Sequence, residues 1–157
     1  AGHTWYPQSF MAATAANEPY LSAALARMAQ IIADLIDAGV APAKLAVAGF
    51  SQGACLAAES VLRNPRPYGF VGILSGGAIG PPGTPRDYQG SLAGTRVFLG
   101  CADQDAHIPL TRVKETTATF KAMGAAVTEH IYPGSHHGVN EDEVTELRAG
   151  LSAMLGS

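Results

Sequence analysis

The sequence predicts an α/β fold: a three-layer α/β/α sandwich built on a mainly parallel sheet. Two observations carry this. Short apolar runs alternate with stretches of helical period almost throughout, and residues 45–49 (Leu-Ala-Val-Ala-Gly) are apolar on both faces, as suits a parallel strand covered on both sides. Parallel strands need crossover connections, and alternating helices supply them.

The elements follow in order. Asn17 is expected to cap a first helix with Pro19 in its opening turn; Leu21, Leu25, Met28, Ile32 and Leu35 recur at three and four, and Gly39 ends it. After the strand at 45–49 comes a helix of small residues from 52 to about 63, stopped by Asn64-Pro65-Arg66-Pro67. Residues 70–74 read as a second buried strand. The Gly- and Pro-rich stretch 75–94 reads as a long loop, either a substrate lid or a solvent loop. Residues 96–100 form a third strand; Leu110, Val113, Thr117 and Phe120 keep helical spacing up to Gly124; residues 127–132 form a fourth strand. Asn140 and Glu143 then cap a last helix carrying Val144, Leu147, Leu151 and Leu155.

Composition bounds the function. At 157 residues the chain is expected to form one domain, 1–157. Charged residues make up 15% against 47% apolar, which excludes disorder, and a net charge of -3 with no Lys/Arg cluster excludes nucleic acid as a partner. No apolar stretch approaches the roughly 20 residues of a membrane span. Cys55 and Cys101 make no disulfide framework, so reduced thiols and a cytoplasmic location are expected. The chain opens at Ala1 rather than Met, so residues preceding it are expected.

In a parallel sheet, reactive groups gather beyond the carboxyl ends of the strands. The first strand ends in Gly49-Phe50-Ser51-Gln52-Gly53, a Gly-x-Ser-x-Gly between strand and helix. The flanking glycines let the backbone cross itself while Ser51 is held in a strained turn with its hydroxyl exposed. Serine needs a base, and the base an orienting acid. The third strand runs out into Asp103-Gln104-Asp105-Ala106-His107, the fourth into Ser135-His136-His137-Gly138, on the edge where Ser51 emerges. On spacing alone Asp103 competes with Asp105 as the acid, and His107, His130 and His136 with His137 as the base. A metal hydrolase built on Asp103, Asp105, His107, His136 and His137 lacks compact ligand spacings and leaves Ser51 unexplained, so no metal or cofactor is expected.

Four segments together, Gly49-Phe50-Ser51-Gln52-Gly53-Ala54, Leu74-Ser75-Gly76-Gly77, Gly100 with Asp105-x-x-Ile108-Pro109, and Tyr132-x-Gly134-x-x-His137, resemble the phospholipase/carboxylesterase family of α/β-hydrolases, which includes the acyl-protein thioesterases. The resemblance covers nearly the whole chain. It implies Ser51 as nucleophile, Asp105 as acid and His137 as base, with Asp103, His107 and His136 as bystanders. The backbone N–H of Gln52 is expected to be one oxyanion donor, and Leu74, Ile108 and Val139 are expected in an apolar substrate pocket.

Family members carry, before the segment resembling residues 2–19, several more strands and a His-Gly-rich loop that gives the second oxyanion donor. Neither is found here, so the fold implied is a truncated α/β-hydrolase with the strand at 45–49 on the sheet edge. Such an edge is expected to pair with a missing N-terminal segment or with a second copy in a homodimer, unless residues 1–17, with Trp5 and Tyr6, fold over it. The expected function is a serine carboxylesterase acting on small to medium acyl esters. The alternatives are a weak or inactive hydrolase remnant with an assembly or binding role, and an acyl-protein thioesterase.

Overall fold

The computed structural model describes residues 2–156. Its elements run α1 (Tyr20–Asp37), β1 (Ala46–Phe50), α2 (Gln52–Arg63), β2 (Phe70–Leu74), β3 (Arg96–Ala102), α3 (Leu110–Ala122), β4 (Ala126–Tyr132) and α4 (Glu141–Gly156), with short 3-10 turns at Thr14–Asn17 and Pro42–Lys44. The four strands form one parallel sheet in the order β1-β2-β3-β4. This is the expected α/β architecture.

Strand parity divides the core. Val47, Val71, Ile73, Val97 and Leu99 pack against α2 and α3, while α1 packs on α2. Phe70, Leu74 and Phe98 point the other way, onto Leu147 and Met154 of α4. The α4 layer packs chiefly on β2 and β3, with Asp142 reaching His130 and Tyr132 of β4. On that open side Ala46, Ala48 and Phe50 of β1 are exposed, so a strand expected to be buried on both faces is buried on one. Its outer edge is unpaired among the described residues.

Among the described residues, none of the N-terminal segment pairs as a strand with that edge. Tyr6 and Phe10 are buried instead against α1, α2 and Ile108, and the carbonyl of Phe10 accepts the amide of Gly80. Asn17 is the fastener. Rather than capping α1, its buried side chain accepts the amide of Gln8 at 2.6 Å and donates to the carbonyl of Ser9 at 3.1 Å. Glu18 takes over the helix start, accepting the amide and hydroxyl of Ser22.

Two further expectations change. The stretch 75–94 divides: residues 75–80 are buried, most of 81–94 is exposed as a solvent loop, and Glu59 of α2 accepts the amide of Ile79 and the hydroxyl of Tyr88 beside Arg86. An ionic cluster thereby anchors it. In α4 the buried positions are Glu143, Gly150 and Met154, with Val144, Leu151 and Leu155 exposed. The helix is rotated so that Gly150 receives the ring of Phe70, where any Cβ would collide with it. Among the described residues no helix is long and apolar enough to cross a membrane.

Of the two glycines flanking Ser51, only Gly49 is sterically required. A Cβ there would strike the carbonyl of Gly53 and come within 2.7 Å of the Ala54 nitrogen, whereas a Cβ at Gly53 meets nothing within 4 Å. Gly49→Ala is therefore expected to destabilise the fold by about 1–3 kcal/mol. Gly53→Ala should leave stability unchanged or raise it by up to about 1 kcal/mol. Urea midpoints of the two variants check this, and equal midpoints would show that the turn is not crowded.

Candidate active site

Ser51 lies between β1 and α2 at φ 56°, ψ -121°, a conformation costing about 1–3 kcal/mol for a residue other than glycine. Its surroundings hold it there: its amide donates to the carbonyl of Leu74 at 2.9 Å, and its carbonyl accepts the amide of Cys55 at 3.0 Å.

Asp105 follows β3 and has a fully buried side chain that uses both oxygens. Oδ1 accepts the amides of His107 at 2.8 Å and Ile108 at 3.1 Å, and Oδ2 lies 2.6 Å from Nδ1 of His137. Burial works against its charge, but the His137 bond and the two amides outweigh it and hold the carboxyl below the ordinary aspartate value. An ionised Asp105 only accepts, so Nδ1 of His137 carries the hydrogen and Nε2 is free to accept. Nε2 lies 2.8 Å from Oγ of Ser51. Oxygen, imidazole and carboxylate thus form one hydrogen-bonded chain from three loops at the carboxyl edge of the sheet.

The competing residues are engaged elsewhere. Asp103 accepts the amide of Gly134, His130 pairs with Asp142, and His136 packs over Gly138. His107 is exposed, with its ring 4.7 Å from that of His137; the ring of Phe50 lies 5.0 Å from His137. Cys55 and Cys101 are free and buried. Burial pushes the Cys55 thiol up to about 11, and burial with Asp105 and Glu143 pushes Cys101 up to about 12. Neither offers a thiolate at neutral pH.

A cavity of about 380 Å³ opens beside Ser51, lined by Tyr6, Gln8, Ser9, Phe10, Ser51, Gln52, Cys55, His107, Ile108 and His137. Of the expected pocket residues only Ile108 lies there. Leu74 is in the core with Phe70, Phe98 and Met154, because alternate residues of β2 face opposite sides. Val139 is exposed at the start of α4, beside Val144. The contributions of residues 6–10 were not foreseen; the signal was aromatic residues in a segment without periodicity. Gln52 links the two regions. As the first residue of α2 its amide has no acceptor within the helix, while its side chain accepts from Thr4 and the Trp5 amide and donates to the Tyr6 carbonyl.

His130, Asp142 and Glu146 hold donor atoms within 4.8 Å of one another on the outer side of β4 and α4.

A sequence model of the family described as Phospholipase/Carboxylesterase matches residues 1–155. The chain belongs to this family. The crystal structure of a phospholipase/carboxylesterase from Dyadobacter fermentans DSM 18053 is 37% identical with a TM-score of 0.89, covering 97% of this chain and 71% of that one. Lysophospholipase-like protein 1 of Mus musculus is 26% identical over 133 residues, 82% of this chain and 56% of its own length. Acyl-protein thioesterase 1 of Saccharomyces cerevisiae (strain ATCC 204508 / S288c) is 27% identical over 128 residues, 78% of this chain and 55% of its own. The chain spans about half the length of these two relatives. The fold is that of an α/β-hydrolase.

The Asp105 bonds give a pH prediction. With its folded pKa below the ordinary 3.8, Asp105 contributes stability that is fully present above that value and is lost as pH falls through the folded value. Asp105→Asn should flatten this acid limb in urea titrations run at a series of pH values. An unchanged limb would mean that folding does not lower the Asp105 pKa.

Proposed function

We propose that this chain is a serine carboxylesterase cleaving small to medium acyl esters through an acyl-enzyme on Ser51. The observation that carries the reading is the unbroken chain Ser51–His137–Asp105 at the mouth of a cavity. Oγ of Ser51 attacks the ester carbonyl as Nε2 of His137 takes its proton, and Asp105 holds the imidazole and stabilises its charged form. The Oγ–acyl bond forms, the bond to the alcohol oxygen breaks, and His137 returns the proton to the leaving alcohol. Water, deprotonated by His137, then releases the acid and restores Ser51. The Gln52 amide faces the oxyanion, a donor worth about 3 kcal/mol of barrier. Tyr6, Phe10, Cys55 and Ile108 give the cavity apolar surface for the acyl chain, and its size suits short chains. Thioesters follow the same steps, and one relative is named an acyl-protein thioesterase.

Hydrolysis of p-nitrophenyl acetate and butyrate tests this. Ser51→Ala and His137→Ala are each expected to lower kcat by about 10³-fold or more, with His107→Ala retaining most of it. Activity surviving in Ser51→Ala would sink the serine mechanism.

A second reading is a catalytically weak chain that acts by assembly, favoured by the unpaired edge of β1 with exposed Ala46, Ala48 and Phe50. Under it, the chain forms dimers in analytical ultracentrifugation, and Ala46→Lys shifts them to monomer. A monomer at all concentrations would remove this reading.

A further inference from the structure

The loop that carries His137, residues 133–139, is moored at both ends by carboxylates that take no part in the proposed chemistry. At its start, Oδ1 of Asp103 accepts the amide of Gly134 at 2.9 Å, and the carbonyl of Gly134 accepts the amide of Gln104 at 2.9 Å. Both bonds run to the segment that leads into Asp105. At its end, Asn140 and Glu143 bond reciprocally: Oε1 of Glu143 accepts the Asn140 amide at 3.1 Å, and Oδ1 of Asn140 accepts the Glu143 amide at 2.8 Å.

A helix cap of this kind is usually a surface device, but Glu143 is 1% exposed. Its Oε2 is buried without a hydrogen-bond partner and rests against Gly100 of β3, where a Cβ would lie 2.5 Å away. Leaving a buried carboxyl oxygen unsatisfied costs about 1–3 kcal/mol or more. Surface capping alone would not require that burial. What the burial achieves is a brace from β3 to the end of the His137 loop, matching the tie at its start.

We propose that Asp103 and Glu143 are positioning residues for the Ser51–His137–Asp105 chain: they fix the His137 loop to β3 and the segment after it, and so set the 2.6 Å contact between Nδ1 of His137 and Asp105. This rests on the esterase reading for its kinetic consequence and on geometry alone for its structural one. Asp103, a bystander by family resemblance, becomes a working part of the site.

The test uses the full chain with Asp103→Ala, Asp103→Asn, Glu143→Ala and Glu143→Gln, checked for folding by circular dichroism. Asn and Gln keep the accepting oxygen at each mooring. Each alanine variant is expected to lower kcat on p-nitrophenyl butyrate about 10- to 100-fold with KM nearly unchanged, and Asn and Gln to restore most of it. The second readout is the far-downfield proton resonance of the His137 Nδ1–H, which reports its bond to Asp105 without turnover. It should broaden or vanish in the folded alanine variants and persist in Asn and Gln. Exposed Asp103 keeps the test decisive if Glu143→Ala does not fold. A resonance and kcat unchanged in folded Asp103→Ala overturn the proposal, as does a fall in kcat with the resonance intact. Wild-type chain showing the resonance but no hydrolysis would refute the esterase reading and leave the positioning result to stand or fall on the resonance.

Discussion

Where β1 runs into α2, the backbone of Gly49 lies against the carbonyl of Gly53, and this close crossing leaves the chain one way to turn. The turn gives Ser51 its positive φ, and the bonds to Leu74 and Cys55 keep it there. The serine hydroxyl then stands above the sheet edge at the depth to which β3 and β4 deliver Asp105 and His137. Relax the crossing and the hydroxyl no longer meets the imidazole, however well the other two groups are held. The strain is local, and the stability that supports it is spread through the sheet.

A second economy concerns Asp105. One oxygen shapes the turn ahead of α3 through two backbone amides, and the other orients His137. Local folding and side-chain orientation are thus the same event, so the turn cannot form with the carboxylate pointing elsewhere. Burial would favour the neutral acid, yet three donors directed at the two oxygens favour the anion.

Much of this was legible in the sequence. Parallel topology obliges the segments after β1, β3 and β4 to emerge on one edge, so the loops bearing Ser51, Asp103 with Asp105, and His136 with His137 needed no contact information to be brought together, while the choice of Asp105 and His137 within them came from the family resemblance. Leu74 failed for a reason of parity: its face is decided by Val71 and Ile73 packing toward α2, which only the register reveals. In α4 the small Gly150 hides the buried stripe, because a helix face can be read as empty when a neighbour's ring fills it. Asn17 looked like a cap, and its burial under residues 8 and 9 came from tertiary contacts that local propensity does not register.

Gln52 is asked for two things that differ in how much they constrain its identity. Its amide could come from any residue except proline, since backbone chemistry is blind to the side chain. The carboxamide is another matter: it accepts twice and donates once to residues 4–6, a pattern matched by neither a carboxylate nor a hydrocarbon. The side chain at this position is therefore fixed by the wall of the cavity and not by its backbone amide. A glutamine beside Ser51 is in this fold a record of where residues 4–6 must lie.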